Sequence, residues 1–268
     1  MNSTRISLRC SALALLLVGL CPAEFALAFD AVRLYGATPD RDGGVVGIAA
    51  VVGREYQGSN KRRSGVFPAL DYQWRSGFFA GTTNGLGVNF SASPITQYGL
   101  RITADLGRSE SRSPALTGLG DVKVRPEFGA FFNYVATREV FLTSSLRYGS
   151  GNERRGAQLD LGAHYGLQLA PQWRTTVGVS ATVVNASYMQ SHFGVTPAQA
   201  LTSQNPAYAA GAGLRDVRTN LSVTYFINSE WTATGGLSLS SLQGDAKNSP
   251  IVRERTPITG LLALGYRF

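Results

Sequence analysis

The chain closes on residues 258–268, ITGLLALGYRF. Ile258, Leu262, Leu264, Tyr266 and Phe268 fall on one side of a two-residue alternation, and Thr259, Ala263 and Arg267 on the other. This is strand spacing, and the strand ends on an aromatic with no turn after it. In water such a strand would leave an apolar, unpaired edge. The ending makes sense if the last strand pairs with the first and its apolar side faces hydrocarbon.

The same pattern runs upstream. In residues 157–169, AQLDLGAHYGLQL, one face is Ala157, Leu159, Leu161, Ala163, Tyr165, Leu167 and Leu169, and the other carries Gln158, Asp160, Gly162, His164, Gly166 and Gln168. Stretches around 140–148, 173–183 and 217–227 alternate in the same way. Their polar faces are too rich in glycine, serine and charge to form the core of a soluble sandwich. The strands are also long, where soluble strands usually run about 5–6 residues and membrane strands about 10. The soluble antiparallel alternative is therefore weaker than a barrel turned inside out, apolar toward lipid and polar toward a lumen.

Counting back from the end predicts strands near 258–268, 231–242, 214–228, 173–186, 156–169, 139–149, 120–135 and 98–107, with 65–74 and 44–56 further upstream. Residues 78–90, FFAGTTNGLGVNF, taken as one strand would make eleven. Asn84-Gly85 is a favoured two-residue hairpin, and a split there makes twelve. The fold class predicted is all-β, a transmembrane antiparallel up-and-down β-barrel of twelve strands, with ten as the alternative. Short connections (136–139, 170–172, 228–230) alternate with long ones (108–119, 150–155, 187–213, 243–257), which puts the short turns in the periplasm and the long loops outside. Trp74, Trp173 and Trp231 stand on the apolar face beside short turns and, with Tyr266 and Phe268, predict an interfacial aromatic girdle. Tyr56, Tyr148 and Tyr188 are candidates for a second girdle at the other end.

The first 28 residues read as a cleaved signal peptide: Arg5 and Arg9, the apolar run SALALLLVGL, and a small-x-small site at Ala26 and Ala28. Both cysteines, Cys10 and Cys21, lie in it. A lipoprotein anchor at Cys21 is disfavoured by Leu20, where a small residue is wanted. The mature chain would have no thiol, with residues 29–43 a periplasmic tail and 44–268 the barrel. The address is the outer membrane of a Gram-negative bacterium.

The whole sequence carries a formal charge of +8 in 268 residues, and removal of the leader leaves about +7. Outer-loop bases Lys61, Arg62, Arg63, Arg108, Arg112, Arg154, Arg155, Lys247, Arg253 and Arg255 are candidate contacts for lipopolysaccharide phosphates, beside the plainer reading of solvated loops. The inward faces hold Asp71, Arg101, Asp105, Lys123, Arg125, Glu127, Arg147, Asp160, His164, Arg174, Arg218 and Arg267, a candidate lumen network. These groups predict a narrow lumen closed by ion pairs across it, or an anion-preferring pore if it conducts. Nucleic acid is not expected as a partner in the cell envelope.

Six stretches together carry a family resemblance: EYQGS (55–59), GLGD (118–121), HFGVTPAQA (192–200), GAGLRDV (211–217), GDAKNSPIV (244–252) and the terminal GYRF. They resemble the MipA/OmpV family of outer-membrane proteins. Residues 29–44 depart from the pattern, and His192 stands where members commonly have Tyr. The resemblance implies an integral outer-membrane barrel. Its name-giving members are scaffolds joining a lytic transglycosylase to a bifunctional murein synthase; others are linked to osmotic or antibiotic response and adhesion. Fold transfers more safely than function.

An enzyme is the contrasting class. The mature chain offers only His164 and His192, without the partners of a general base, and shows no metal-ligand spacing. No catalytic residue, metal or cofactor is expected. A scaffold for murein enzymes is the expected function, with a narrow small-solute channel the alternative.

Overall fold

A computed structural model describes residues 39–268. The leader, both cysteines and the greater part of the tail lie outside the described residues. Twelve strands form a closed antiparallel barrel in which each strand pairs with its sequence neighbours and β1 pairs with β12. They are β1 (Gly43–Arg54), β2 (Arg62–Gln73), β3 (Phe78–Gly81), β4 (Gly85–Asn89), β5 (Thr96–Asp105), β6 (Arg125–Val135), β7 (Val140–Ser150), β8 (Gly156–Ala170), β9 (Trp173–Val184), β10 (Gly213–Phe226), β11 (Trp231–Leu242) and β12 (Ile258–Arg267).

The seam matches the expectation drawn from the last strand. Val45 faces Arg267 and Val52 faces Gly260 along an unbroken register. Gly44 and Phe268 exchange both backbone hydrogen bonds at 3.1 Å. In hydrocarbon no water can satisfy a strand edge, so closure is what makes the sheet tolerable there.

Burial is inverted relative to a water-soluble protein. Ile48, Leu100, Phe128, Leu146, Leu237 and Leu262 are exposed on the outside, while Arg101, Glu127, Arg147, Ser180, Arg218 and Asn220 are buried inside. The three tryptophans stand at the end of the barrel that carries the short turns. Each touches an aromatic neighbour: Trp74 on Tyr72 (4.7 Å between centroids), Trp173 on Tyr225 (4.6 Å) and Trp231 on Tyr266 (5.1 Å). Phe268 joins this ring through Tyr72 at 5.9 Å. Of the three tyrosines proposed for the opposite girdle, only Tyr148 is exposed there. Tyr56 and Tyr188 are buried, because β1 and β9 end before them and the chain turns inward.

The segment 78–90 does split, but through a three-residue turn. Gly81 pairs with Gly85, leaving residues 82–84 as the loop, and Gly85 takes a positive φ of 74°. The resulting β3–β4 hairpin is much shorter than its neighbours. Its ladder with β2 covers Asp71, Tyr72 and Gln73 and is extended by Thr82 N donating to Leu70 O (2.8 Å), so among the described residues the part of β2 before Leu70 is laddered on the β1 side alone. Pro68, which has no N–H to leave unpaired, lies on that open stretch.

Deleting Phe268 removes the two terminal seam bonds and the contact with Tyr72. The expected result is a loss of about 1–3 kcal/mol at the seam, read as a smaller fraction of heat-modifiable, folded barrel after refolding in detergent. An unchanged fraction would show that the seam does not depend on its last rung.

Candidate functional site: a capped mouth and a charged wall

The loops at the end opposite the tryptophans fold into a cap. α1 (Ala186–Phe193) starts at Asn185, whose side chain accepts from Tyr188 N and from Ala157 N, each at 3.0 Å, and so ties the helix to β8. α2 (Pro197–Thr202) opens with a reciprocal capping box between Thr196 and Gln199, and α3 (Gly244–Asn248) follows β11. Two apolar clusters hold these pieces together. One gathers Val184, Tyr188, Met189, Phe193, Ala210, Leu242 and Ala246; the other gathers Tyr56, Leu116, Leu119, Val195 and Ile251. Tyr208 and Val252 border both.

The cap is assembled from the quoted motifs. Tyr56 of EYQGS donates its hydroxyl to the Ile251 carbonyl (2.9 Å), and Gly58 O accepts from Arg253 N (2.7 Å) and Glu254 N (2.9 Å). Leu119 O of GLGD accepts from the Gln199 side chain. Val195 and Tyr208 form a two-bond bridge, and Asp245 accepts from Gly211 N at 2.6 Å. Five stretches scattered over the sequence thus meet in one small packed unit.

Beneath the cap a run of charges follows the wall from β6 to β10. Arg147 reaches Glu127 (3.4 Å) and Asp160 (2.7 Å). Asp160 also meets Arg218 (3.2 Å) and accepts from Thr182 (2.7 Å). Arg218 Nε lies 3.0 Å from Asp216, which in turn is paired with Arg215. Arg215 is 0 % exposed and donates to Gln158 (2.9 Å) and to the Tyr188 hydroxyl (2.8 Å) of α1, with its guanidinium 5.3 Å from the Tyr188 ring centre. Burial raises the Tyr188 hydroxyl far above the usual phenol range, so it stays protonated. A second tie joins cap and wall: His192 Nε2 sits 3.3 Å from Asp105, His192 Nδ1 faces the Tyr188 carbonyl at 3.1 Å, and Arg108 donates to the His192 carbonyl at 3.0 Å.

This arrangement corrects several expectations. Among the described residues these ion pairs run round one side of the barrel, between adjacent strands (Glu127–Arg147, Arg147–Asp160) or across β9 (Asp160–Arg218), since side chains on strands about 4.8 Å apart meet more easily than those on opposite walls. Asp71, Arg101, Asp105, Glu127, Arg147, Asp160, His164 and Arg218 do face inward, and Arg101 spans to Ser145 at 2.7 Å. Lys123 is exposed outside β6, and Arg125 is half-buried at the rim, donating to Asn152 O (3.4 Å). Arg174 and Arg267 are exposed at the turn end, away from the network. His164 lies apart from these ion pairs: it stacks on Phe141 (4.9 Å, 13°) and contacts Thr143 at 3.3 Å.

Arg215 and Asp216 were not expected in the wall. Strict alternation from Val217 puts Asp216 inside and Arg215 outside; a bulge between Leu214 and Asp216 turns Arg215 inward as well. The adjacent Arg-Asp pair in GAGLRDV was the available signal. Of the loop bases, Lys61, Arg62, Arg63, Arg154, Arg155, Lys247, Arg253 and Arg255 are exposed, Arg112 is half-buried, and Arg108 is buried under the cap. Among the described residues no group of three or more potential metal ligands occurs.

An apolar exterior, a closed ladder and a charged inner wall define an integral outer-membrane β-barrel protein. A family model for MltA-interacting protein MipA matches residues 46–268, and the chain belongs to that family. A search of curated proteins found no match. Among solved structures, the chain is similar to the NanC porin (TM-score 0.47, 8 % identity, 82 % of this chain and 98 % of that one) and to the KdgM porin (0.43, 6 %, 84 % and 99 %). It is also similar to the Pseudomonas putida toluene transporter TodX (0.40, 10 %, 93 % and 92 %).

Two substitutions test the wall. Arg147→Ala leaves Glu127 and Asp160 buried without their shared cation and should lower stability by about 3–5 kcal/mol, seen as a drop in the detergent unfolding midpoint that Glu127→Gln partly reverses. An added Cβ at Gly178 collides with the His164 ring. Gly178→Val should therefore cost about 1–3 kcal/mol, and the double variant with His164→Ala should recover most of it. Equal stability of Gly178→Val and the native chain would contradict the contact.

Proposed function

We propose that the protein is a non-enzymatic outer-membrane scaffold for murein-remodelling enzymes, set in a Gram-negative envelope with its cap outside and its tryptophan end in the periplasm. The observation that carries the reading is the packed cap: two apolar cores and the Arg215–Tyr188 and Asp105–His192 ties hold it over the mouth. Such a lid favours interaction over steady conduction. The family's name, MltA-interacting protein, agrees with a murein-enzyme partner, and the resemblance read from the sequence implies a lytic transglycosylase and with it a bifunctional murein synthase. Both histidines are engaged in packing and in cap contacts, which supports a non-catalytic role. The exposed bases at the cap rim suit lipopolysaccharide phosphates.

A stable interface needs about 800 Å² from each partner. The short periplasmic turns offer little, so the tail 29–43 is assigned much of that surface. Its last residues are anchored: Asp42 accepts from Arg75 N at 2.8 Å, beside the β2–β3 turn.

Pull-down of murein hydrolase and synthase from solubilised envelopes should succeed with the full mature chain and fall strongly when 29–38 is deleted. Undiminished capture would remove the tail from the interface, and no capture together with steady conductance steps in planar bilayers would favour the channel. Orientation is checked separately: Arg255→Cys should react with an impermeant maleimide on intact cells, and Ser229→Cys only after the outer membrane is opened.

A further inference from the structure

The outer wall is not uniform. On the face of β3–β6 there is an apolar concavity of about 690 Å³, walled by Phe78, Leu86, Leu100, Ile102 and Phe128 and starting at Trp74. The short β3–β4 hairpin passes through it, flanked by the large outward side chains of β5 and β6. Ile102 lies six residues along β5 from its turn-end start at Thr96. For a tilted strand that is about 15 Å of height, so the concavity runs from the interface to near mid-membrane. Ser76 belongs to its lower rim, and Arg75, the residue before it in the same turn, is exposed. The backbone N–H of Arg75 is used by Asp42, a bond that does not engage the guanidinium.

We infer that this is a binding site for one phospholipid of the periplasmic leaflet. An acyl chain fills the concavity, the ester region lies beside Trp74 and Ser76, and the phosphate is held by Arg75. The chemistry is layered as a phospholipid is layered: hydrocarbon wall, amphipathic indole and hydroxyl, then a cation at headgroup depth. The leaflet follows from the orientation proposed above, and the maleimide test checks that separately; the scaffold role is not required.

The test is native mass spectrometry of the full mature barrel in non-ionic detergent, with added palmitoyl-oleoyl phosphatidylglycerol. One lipid per barrel should be retained. Arg75→Glu should reduce retention about tenfold, the scale of one charge-assisted hydrogen bond. Leu100→Trp, which fills the concavity with an outward-facing side chain, should reduce it similarly. Leu237→Trp, on the exposed outer face of β11, should retain lipid as the native chain does. Equal losses in all three variants, no loss in Arg75→Glu, or a dimer whose mass shifts to monomer with Leu100→Trp would each overturn the assignment. The last result would make the concavity a contact between copies.

Discussion

Hydrocarbon offers backbone amides no partner, and every level of this structure answers to that constraint. A sheet in lipid must close on itself. Closure requires β1 to accept β12, which requires the chain's last residues to alternate as strictly as any interior strand. The Gly44–Phe268 bond pair and the aromatic contact beside it are the local form of that requirement. Once closed, the barrel sorts side chains by parity alone. Odd and even positions meet two different solvents, and this is why a polar, basic sequence can carry so many exposed leucines and phenylalanines.

The interior then has its own accounting. Charges placed inside by parity cannot be left unpaired in a medium of low dielectric. The wall from β6 to β10 resolves this by alternating sign along its length: Glu127, Arg147, Asp160, Arg218, Asp216, Arg215. The run ends on Tyr188 of the cap. Barrel and cap are therefore coupled through hydrogen bonds to side chains that no loop sequence would reveal by itself, and the cap's apolar cores complete the coupling.

Most of the barrel was legible in the sequence because one rule, the two-residue alternation, operates over the long strands. β11 spans Trp231–Leu242, the bounds that the alternation predicts. The rule failed where the ladder departs from regularity. The bulge at Leu214/Asp216 reverses parity for Arg215, and alternation cannot see it. Tyr56 and Tyr188 look like girdle residues by spacing, but their chain segments leave the wall for the cap. Arg108 looks like a solvated loop base and is held under the cap by the His192 carbonyl. In each case tertiary packing overrode a local signal. The loop motifs carry no periodicity that alternation could read; they stand out by family resemblance alone, and their physical meaning, that they pack on one another, lies in the fold.

One hydrogen bond in the cap has a temporal implication. Tyr56 and Ile251 are separated by 195 positions, nearly the whole barrel, yet they lie in the β1–β2 and β11–β12 loops, on either side of the β1–β12 seam. Contacts so distant along the chain are reached late, after the entropy of bringing the ends together has been spent. Closing the ring brings the two loops side by side and so lowers the entropy cost of completing the lid. Its resistance to an externally added protease would then act as a clock for the final stage of assembly.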